Sequence, residues 1–187
     1  AVLVDPAARS LAELRPAVLV DAIIAKKNTG LTISEAPLVL AIGPGFVAGA
    51  DCHAVIESQR GPTLGQVIWQ GSAIPDSGVP GPVLGVAAER LLRAPAAGVF
   101  TPLVSIGDMV EKGQPVGRVG DMVMRAGISG LVRGMLAPGV RVTKGLKAGD
   151  VDPRPDPALC RHISDKALVI GQGALSAINT FKGWPHD

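Results

Sequence analysis

The chain has 187 residues, a net charge of +2, 47% hydrophobic residues and 18% charged ones, enough for one domain or two small ones and too apolar for disorder. With three Phe, two Trp, no Tyr and no basic run, it lacks the aromatic platforms and cationic stripe of a dedicated nucleic-acid binder. Its apolar runs fall far below membrane-spanning length, no signal peptide opens it, and two cysteines make no disulfide framework, so the expected compartment is the cytoplasm and no membrane partner is expected.

Val2-Leu3-Val4 reads as a short buried strand. Asp5 then serves as N-cap and Pro6 as the first residue of a helix running from Ala7 to Leu14, before Pro16. Val18-Leu19-Val20 is a second strand, ending at Asp21. A sheet of two parallel strands cannot cover both faces. An N-terminal portion is therefore expected to be missing, or supplied by another chain. Pro37–Ile42, Val55-Ile56 and Gly65–Trp69 are further strands, and residues 71–85 form a Gly- and Pro-rich loop of linker or active-site type. Residues 87–92 are either a helical turn or a strand. After a proline-rich connection to Cys160, Ser164 caps a helix to about Asn179, which Gly171 and Gly173 weaken.

Residues 93–119 recur as residues 125–151, an offset of 32 without a gap, with nine of 27 positions identical. The glycines at 107, 113, 139 and 145 suit turns that need positive φ. Two facing copies would close a small barrel or flattened sandwich. The pattern resembles the biotinyl/lipoyl fold, a barrel-sandwich hybrid whose central hairpin carries a modifiable lysine. Here that hairpin is Gly120-Asp121-Met122-Val123-Met124, with Val123 at the lysine position. No lipoyl or biotin attachment is expected.

The expected fold is thus mixed α/β and mainly β, with a partial α/β part over residues 1–86, a barrel-sandwich hybrid of two pseudo-symmetric halves over 87–155, and a C-terminal helix within 156–187 packing on the α/β part. Gly43-x-Gly45-x-x-x-Gly49 follows a strand, as phosphate-cradling loops do, although Pro44 removes a donor; a tight packing turn is the other reading. Arg60 could grip a phosphate or carboxylate, or pair locally with Glu57. Cys52-His53 with Cys160 and His162 offers two thiols and two imidazoles, a tetrahedral zinc set of unusual spacing; separate sites are the alternative. Flanked by Arg161 and His162, Cys160 could also be a sulfur-handling thiolate or a plain half-buried cysteine.

The runs VDAIIAKKNTG, APLVLAIGPGFVAGAD, AVIESQRG, LGQVIWQGSAIPDSGVPG, ERLLRAPAAGVF, GLVRGMLAPGVRVTKGLKAGDVDPR and C-x-x-ISDKAL together resemble the selenium-dependent molybdenum hydroxylase accessory (maturation) family, in order over residues 18–178. The family's E-T-x-R-G-H run ends here in Pro62 instead of histidine, and its nucleotide-binding-like opening segment has no counterpart. The resemblance implies an accessory protein that handles a cofactor or chalcogen for a molybdenum hydroxylase client, with a nucleotide or a molybdenum pterin as the ligand. The candidate cofactor contacts are Lys27, Asn28, Gly43, Gly45, Phe46, Gly49, Arg60, Gly61 and Lys166. No catalytic residue is assigned and no metal is expected, with Cys160 and His162 the residual candidates. A nucleotide-dependent enzyme and a non-catalytic interaction module are the rival readings, and an oligomer is compatible with all of them.

Overall fold

The computed structural model describes residues 1–78 and 81–184. It is mixed α/β and mainly β, and it divides into two compact units, residues 1–77 with 164–187 and residues 78–163. The division falls at 77/78 and 163/164, so residues 78–86 and 156–163 group with the repeat. Two residues of the Gly- and Pro-rich loop, Val79 and Pro80, lie outside the described residues.

The first unit is built on strands β1 (Val18–Asp21), β2 (Leu38–Ile42), β3 (Ala54–Ile56) and β4 (Val67–Ile68), in that order across the sheet. The first three run parallel and β4 runs antiparallel to β3. Every residue of β2 is buried, as expected of a strand with neighbours on both sides and cover on both faces. Its alternation sorts the core. Leu38, Leu40 and Ile42 join Ala54 and Ile56 beneath a helix over Asp165–Thr180, which contributes Ile170 and Ala177. Val39 and Ala41 point the other way, with Val55, onto Phe46, Ala48, Cys52 and Ala73 from loops. Loop side chains thus cover that face of β2.

Ser164 caps the C-terminal helix as its sequence implies: its Oγ accepts the Ala167 N–H at 3.1 Å. The two helix glycines differ. A Cβ at Gly173 would strike the Gly65 carbonyl, so this glycine permits the helix to lie against backbone, while Gly171 faces open space.

The opening β-α-β unit does not form. Val2 and Val4 are 99% and 100% exposed with no strand beside them, and helix α1 covers only Leu11–Leu14. A strand needs a partner for its backbone groups, and residues 2–4 meet none. Asp5 caps no Pro6 helix; its Oδ2 accepts from the Ser10 N–H at 2.7 Å in the turn ahead of α1. The second helix in chain order, α2, is the Asp165–Thr180 helix.

The second unit realises the repeat strand by strand. Its strands are β5 (Leu91–Arg93), β6 (Gly98–Pro102), β7 (Met109–Val110), β8 (Pro115–Val119), β9 (Met122–Arg125), β10 (Gly130–Met135), β11 (Arg141–Val142) and β12 (Lys147–Asp152). They form two antiparallel sheets, β5-β12-β10-β7 and β9-β8-β6-β11. A shift of 32 exchanges the two sheets, carrying β5 and β7 of one onto β9 and β11 of the other, and β6 and β8 onto β10 and β12, so each sheet takes two strands from each half. All twelve residues of the core fall into pairs 32 apart: Leu92/Met124, Ala94/Ala126, Phe100/Val132, Val110/Val142, Val116/Ala148 and Val119/Val151. Both copies also carry a register shift at the same place, between Pro115 and Gly117 and between Lys147 and Gly149. The matched arginines act alike as well. Arg93 donates to the Gly145 carbonyl at 3.0 Å and Arg125 to the Gly113 carbonyl at 2.9 Å.

Candidate functional site

Three loops leave the carboxyl ends of three adjacent parallel strands, the side of an α/β sheet on which ligands are bound. The loop after β1 carries Lys26, Lys27 and Asn28. The loop after β2 is Gly43–Gly49, and the segment after β3 is Glu57–Gly61.

Two glycines hold these loops against one another. Gly45 has φ +105°, and a Cβ there would collide with the backbone of Lys26 and Lys27. Gly43 has φ +83°, and a Cβ there would press on the Ser58 Oγ at 2.6 Å. Only glycine allows both the torsion and the approach. The loop after β1 is itself unusual: Ile24 and Lys26 adopt φ of 58° and 62°, a region a β-branched residue avoids.

Buried carboxylates fix the loops. Asp21 accepts the Ile23 N–H at 2.9 Å. Glu57 is buried and takes the Gln59 and Ile74 N–H groups at 2.7 and 2.8 Å, which ties residues 73–77 to the same edge. Lys26 adds an ion pair with Asp76 at 2.8 Å. The local Glu57–Arg60 pairing open to the sequence is therefore not formed. Backbone amides occupy the Glu57 carboxylate, and Arg60 reaches instead to Asp165 in the first turn of α2, binding both carboxylate oxygens at 2.7 and 3.0 Å. Lys166 lies beside Asp165 in that turn. The loop-fixing role of Glu57, Asp21 and Asp76 was missed in the sequence; for Glu57, a carboxylate directly after the buried strand β3 was the available signal.

Within the Gly43–Gly49 loop, the N–H groups of Gly43, Val47, Ala48 and Gly49 bond to Ile56, Asp51, Gly71 and Cys52. This is the work of a packing turn. The amides of Gly45 and Phe46 make no hydrogen bond among the described residues, and Gly45 is exposed. The Phe46 side chain lies in the core. Asn28 also turns inward: its Oδ1 accepts from Gly30 and Leu31 and its Nδ2 donates to the Leu31 carbonyl. Lys27 is exposed and forms no ion pair among the described residues. The arrangement sets the Gly45 amide against the Lys26-Lys27 backbone, with Lys27 exposed, a donor set that fits an anionic group such as a phosphate, while Lys26 and Arg60 are held by Asp76 and Asp165.

The sulfur and imidazole candidates are not gathered. Cys52 is wholly buried, and desolvation pushes its thiol up to about 11, the state of an inert core cysteine. His53 completes the sheet: its N–H donates to the Val39 carbonyl and its Nδ1 accepts the Val39 N–H at 3.0 Å. Burial lowers its pKa from the usual 6.5. The Cys160 thiol points to the Val132 carbonyl at 3.7 Å. Among the described residues, no three His, Cys, Asp or Glu side chains are grouped to hold a metal ion. No described helix is long and apolar enough to cross a membrane.

No model of a known protein family matches the sequence. A curated relative does: the uncharacterized protein YqeB of Escherichia coli (strain K12) is 48% identical over 177 residues, 95% of this chain and 33% of that protein. The chain therefore spans about a third of the length of the relative it matches. Solved structures resemble it only in part. A succinylglutamate desuccinylase/aspartoacylase from Rhodobacter sphaeroides is 24% identical, with 46% of this chain and 29% of that one covered at a TM-score of 0.32. The ectoine utilization protein EutE (DoeB) of Ruegeria pomeroyi is 23% identical, with 45% and 27% covered at a TM-score of 0.32.

Proposed function

We propose that this protein is a cytoplasmic accessory factor in the maturation of selenium-dependent molybdenum hydroxylases, and that the loops at the carboxyl ends of β1–β3 hold its ligand. The ordered sequence resemblance over residues 18–178 supports the maturation role. The observation that carries the choice of site is the pair of glycines, Gly43 and Gly45, that bring three strand-end loops into contact beside exposed cations. The Gly45 and Phe46 amides with Lys27 and Arg60 suit the phosphate of a nucleotide or of a molybdenum pterin. When bound, such a group supplies the chemistry or the cargo. The protein's own part is to bind its anionic end and orient it, with Glu57 and Asp21 keeping the loops in place. The client enzyme is the partner under this reading, no nucleic acid takes part, and self-association is compatible with it.

The test is genetic and biochemical together. Deleting the gene from its host should abolish the activity of a selenium-dependent molybdenum hydroxylase while the client polypeptide is still made. The wild-type gene should restore activity, and Arg60→Ala should restore it poorly although the variant protein is folded. Full hydroxylase activity in the deletion strain would overturn the maturation role; full rescue by Arg60→Ala would remove Arg60 from the site.

A further inference from the structure

The two sheets of the repeat unit are copies, yet their outer faces are treated differently. On the sheet β5-β12-β10-β7 the outward Leu131 is fully buried. The turn at Pro157–Cys160 lies along β10, where the Leu159 carbonyl accepts the Arg133 Nε at 3.2 Å. The outward Asp150 meets Arg90 at 2.7 Å, from the turn that precedes β5. The chain's own connecting segments thus cover this face over β10 and β12, leaving Met109 of the β7 edge 52% exposed, and a cation brought by one of them meets its acid.

On the twin sheet the same positions lie open. Val99, the counterpart of Leu131, is 46% exposed, and Val123, the counterpart of Leu91, is 42% exposed. The counterpart of Asp150 is Arg118, opposite Thr101 and Val123 in the register, and Arg141 stands opposite Val99. Both arginines are exposed and neither forms an ion pair among the described residues. The covered face pairs a sheet acid with an incoming base; the open face reverses the sign. Residues 78–163 as a whole hold eleven Lys and Arg against seven Asp and Glu.

We propose that the outer face of β9-β8-β6-β11 is a docking surface for an acidic segment of a partner protein. Its carboxylates would meet Arg118 and Arg141, and an apolar side chain between them would cover Val99 and Val123, as the chain's own segments cover the twin face. A protein segment fits better than a nucleic acid, because the face offers valines between its arginines and no aromatic ring for a base to stack on. The inference is independent of the maturation reading and of the strand-end loops.

Fluorescence anisotropy of the full chain with a short labelled peptide of alternating glutamate and valine tests it, beside a thymidine oligonucleotide of equal charge. The peptide should bind more tightly than the oligonucleotide and weaken as salt rises. Arg118→Glu with Arg141→Glu should lose at least ~tenfold in peptide affinity, while Lys112→Glu, away from this face, should change it little. Because both arginines are exposed, the double variant should melt where the wild type does. No peptide binding, equal binding by the double variant, or tighter binding of the oligonucleotide through the same arginines would each overturn the proposal.

Discussion

The repeat unit and the parallel-sheet unit solve the same problem, enclosing a core with short strands, by opposite routes. In residues 78–163 the core, one register shift of each half, the glycine turns and an arginine contact come in pairs 32 apart. In the other unit nothing repeats. Its central strand is covered by a helix from far along the chain and by loop side chains, and its strand ends carry the candidate site. Duplication produces two matched sheets around one core; the unduplicated sheet leaves its loops specialised, strained at Ile24 and Lys26, and glycine-dependent.

The largest expected effect breaks the symmetry of the repeat. Asp152 is fully buried and has no acidic twin, since the matching position is Gly120. It accepts from Arg154 at 2.6 and 2.8 Å and from Arg133 at 3.3 Å. Asp152→Ala should destabilise the protein by about 2–3 kcal/mol, because it removes the charge-assisted hydrogen bonds between a buried carboxylate and two partly exposed guanidinium groups. Hydrogen bonds from Arg154 above all hold the Asp152 carboxyl down to about 2, from 3.8. Its contribution is therefore complete above pH ~4 and is lost as the pH falls from there through about 2. Acid titration of the wild type followed by circular dichroism should show that loss, and Asp152→Asn should flatten it.

Next comes a contrast within α2. Gly173→Ala should cost about 1–3 kcal/mol, since its methyl meets the Gly65 carbonyl. Gly171→Ala should instead stabilise by roughly 0.5–1 kcal/mol, since that position is open and alanine is the better helix former. Thermal melting of the two variants separates a packing glycine from an incidental one. Equal shifts would mean that the helix does not rest on the Gly65 backbone.

The repeat was legible in the sequence because the same residue types recur at the same spacing, and glycines 107, 113, 139 and 145 all take positive φ as read. The Ser164 cap and the buried β2 strand were legible for local reasons as well. The opening strand was not: Val2–Val4 has the composition of a strand, and composition does not reveal that no strand among the described residues lies beside it. The strand-end loops could be named one by one, at Lys27, Gly43–Gly49 and Arg60, but their meeting depends on parallel register and on close approaches at Gly43 and Gly45. The pairing of Arg60 with Asp165 spans 105 residues, beyond any local pattern, whereas the nearby Glu57 was the misleading neighbour.

A smaller effect sharpens the difference between the units. His53 accepts a strand amide through Nδ1, so protonating it breaks that bond. Its pKa is lowered on folding, so the unfolded chain binds the proton more readily. Stability should therefore be complete above the usual 6.5, fall as the pH drops below it, and level off once the folded imidazole is itself protonated. His53→Gln should remove this segment of the pH profile. The smallest effect is at Arg60. Its pair with Asp165 is exposed, so Arg60→Ala should cost no more than ~1 kcal/mol of stability, and a ligand defect in that variant would reflect binding and not unfolding.

Native mass spectrometry of the protein purified from its own host, with metal and selenium analysis, tests the central claim most directly. An anionic nucleotide or pterin retained by the wild type and lost from both Arg60→Ala and Gly45→Ala is the predicted result. A ligand-free wild-type protein in a host making the active hydroxylase, or a ligand held equally by both variants, would contradict the assignment of these loops.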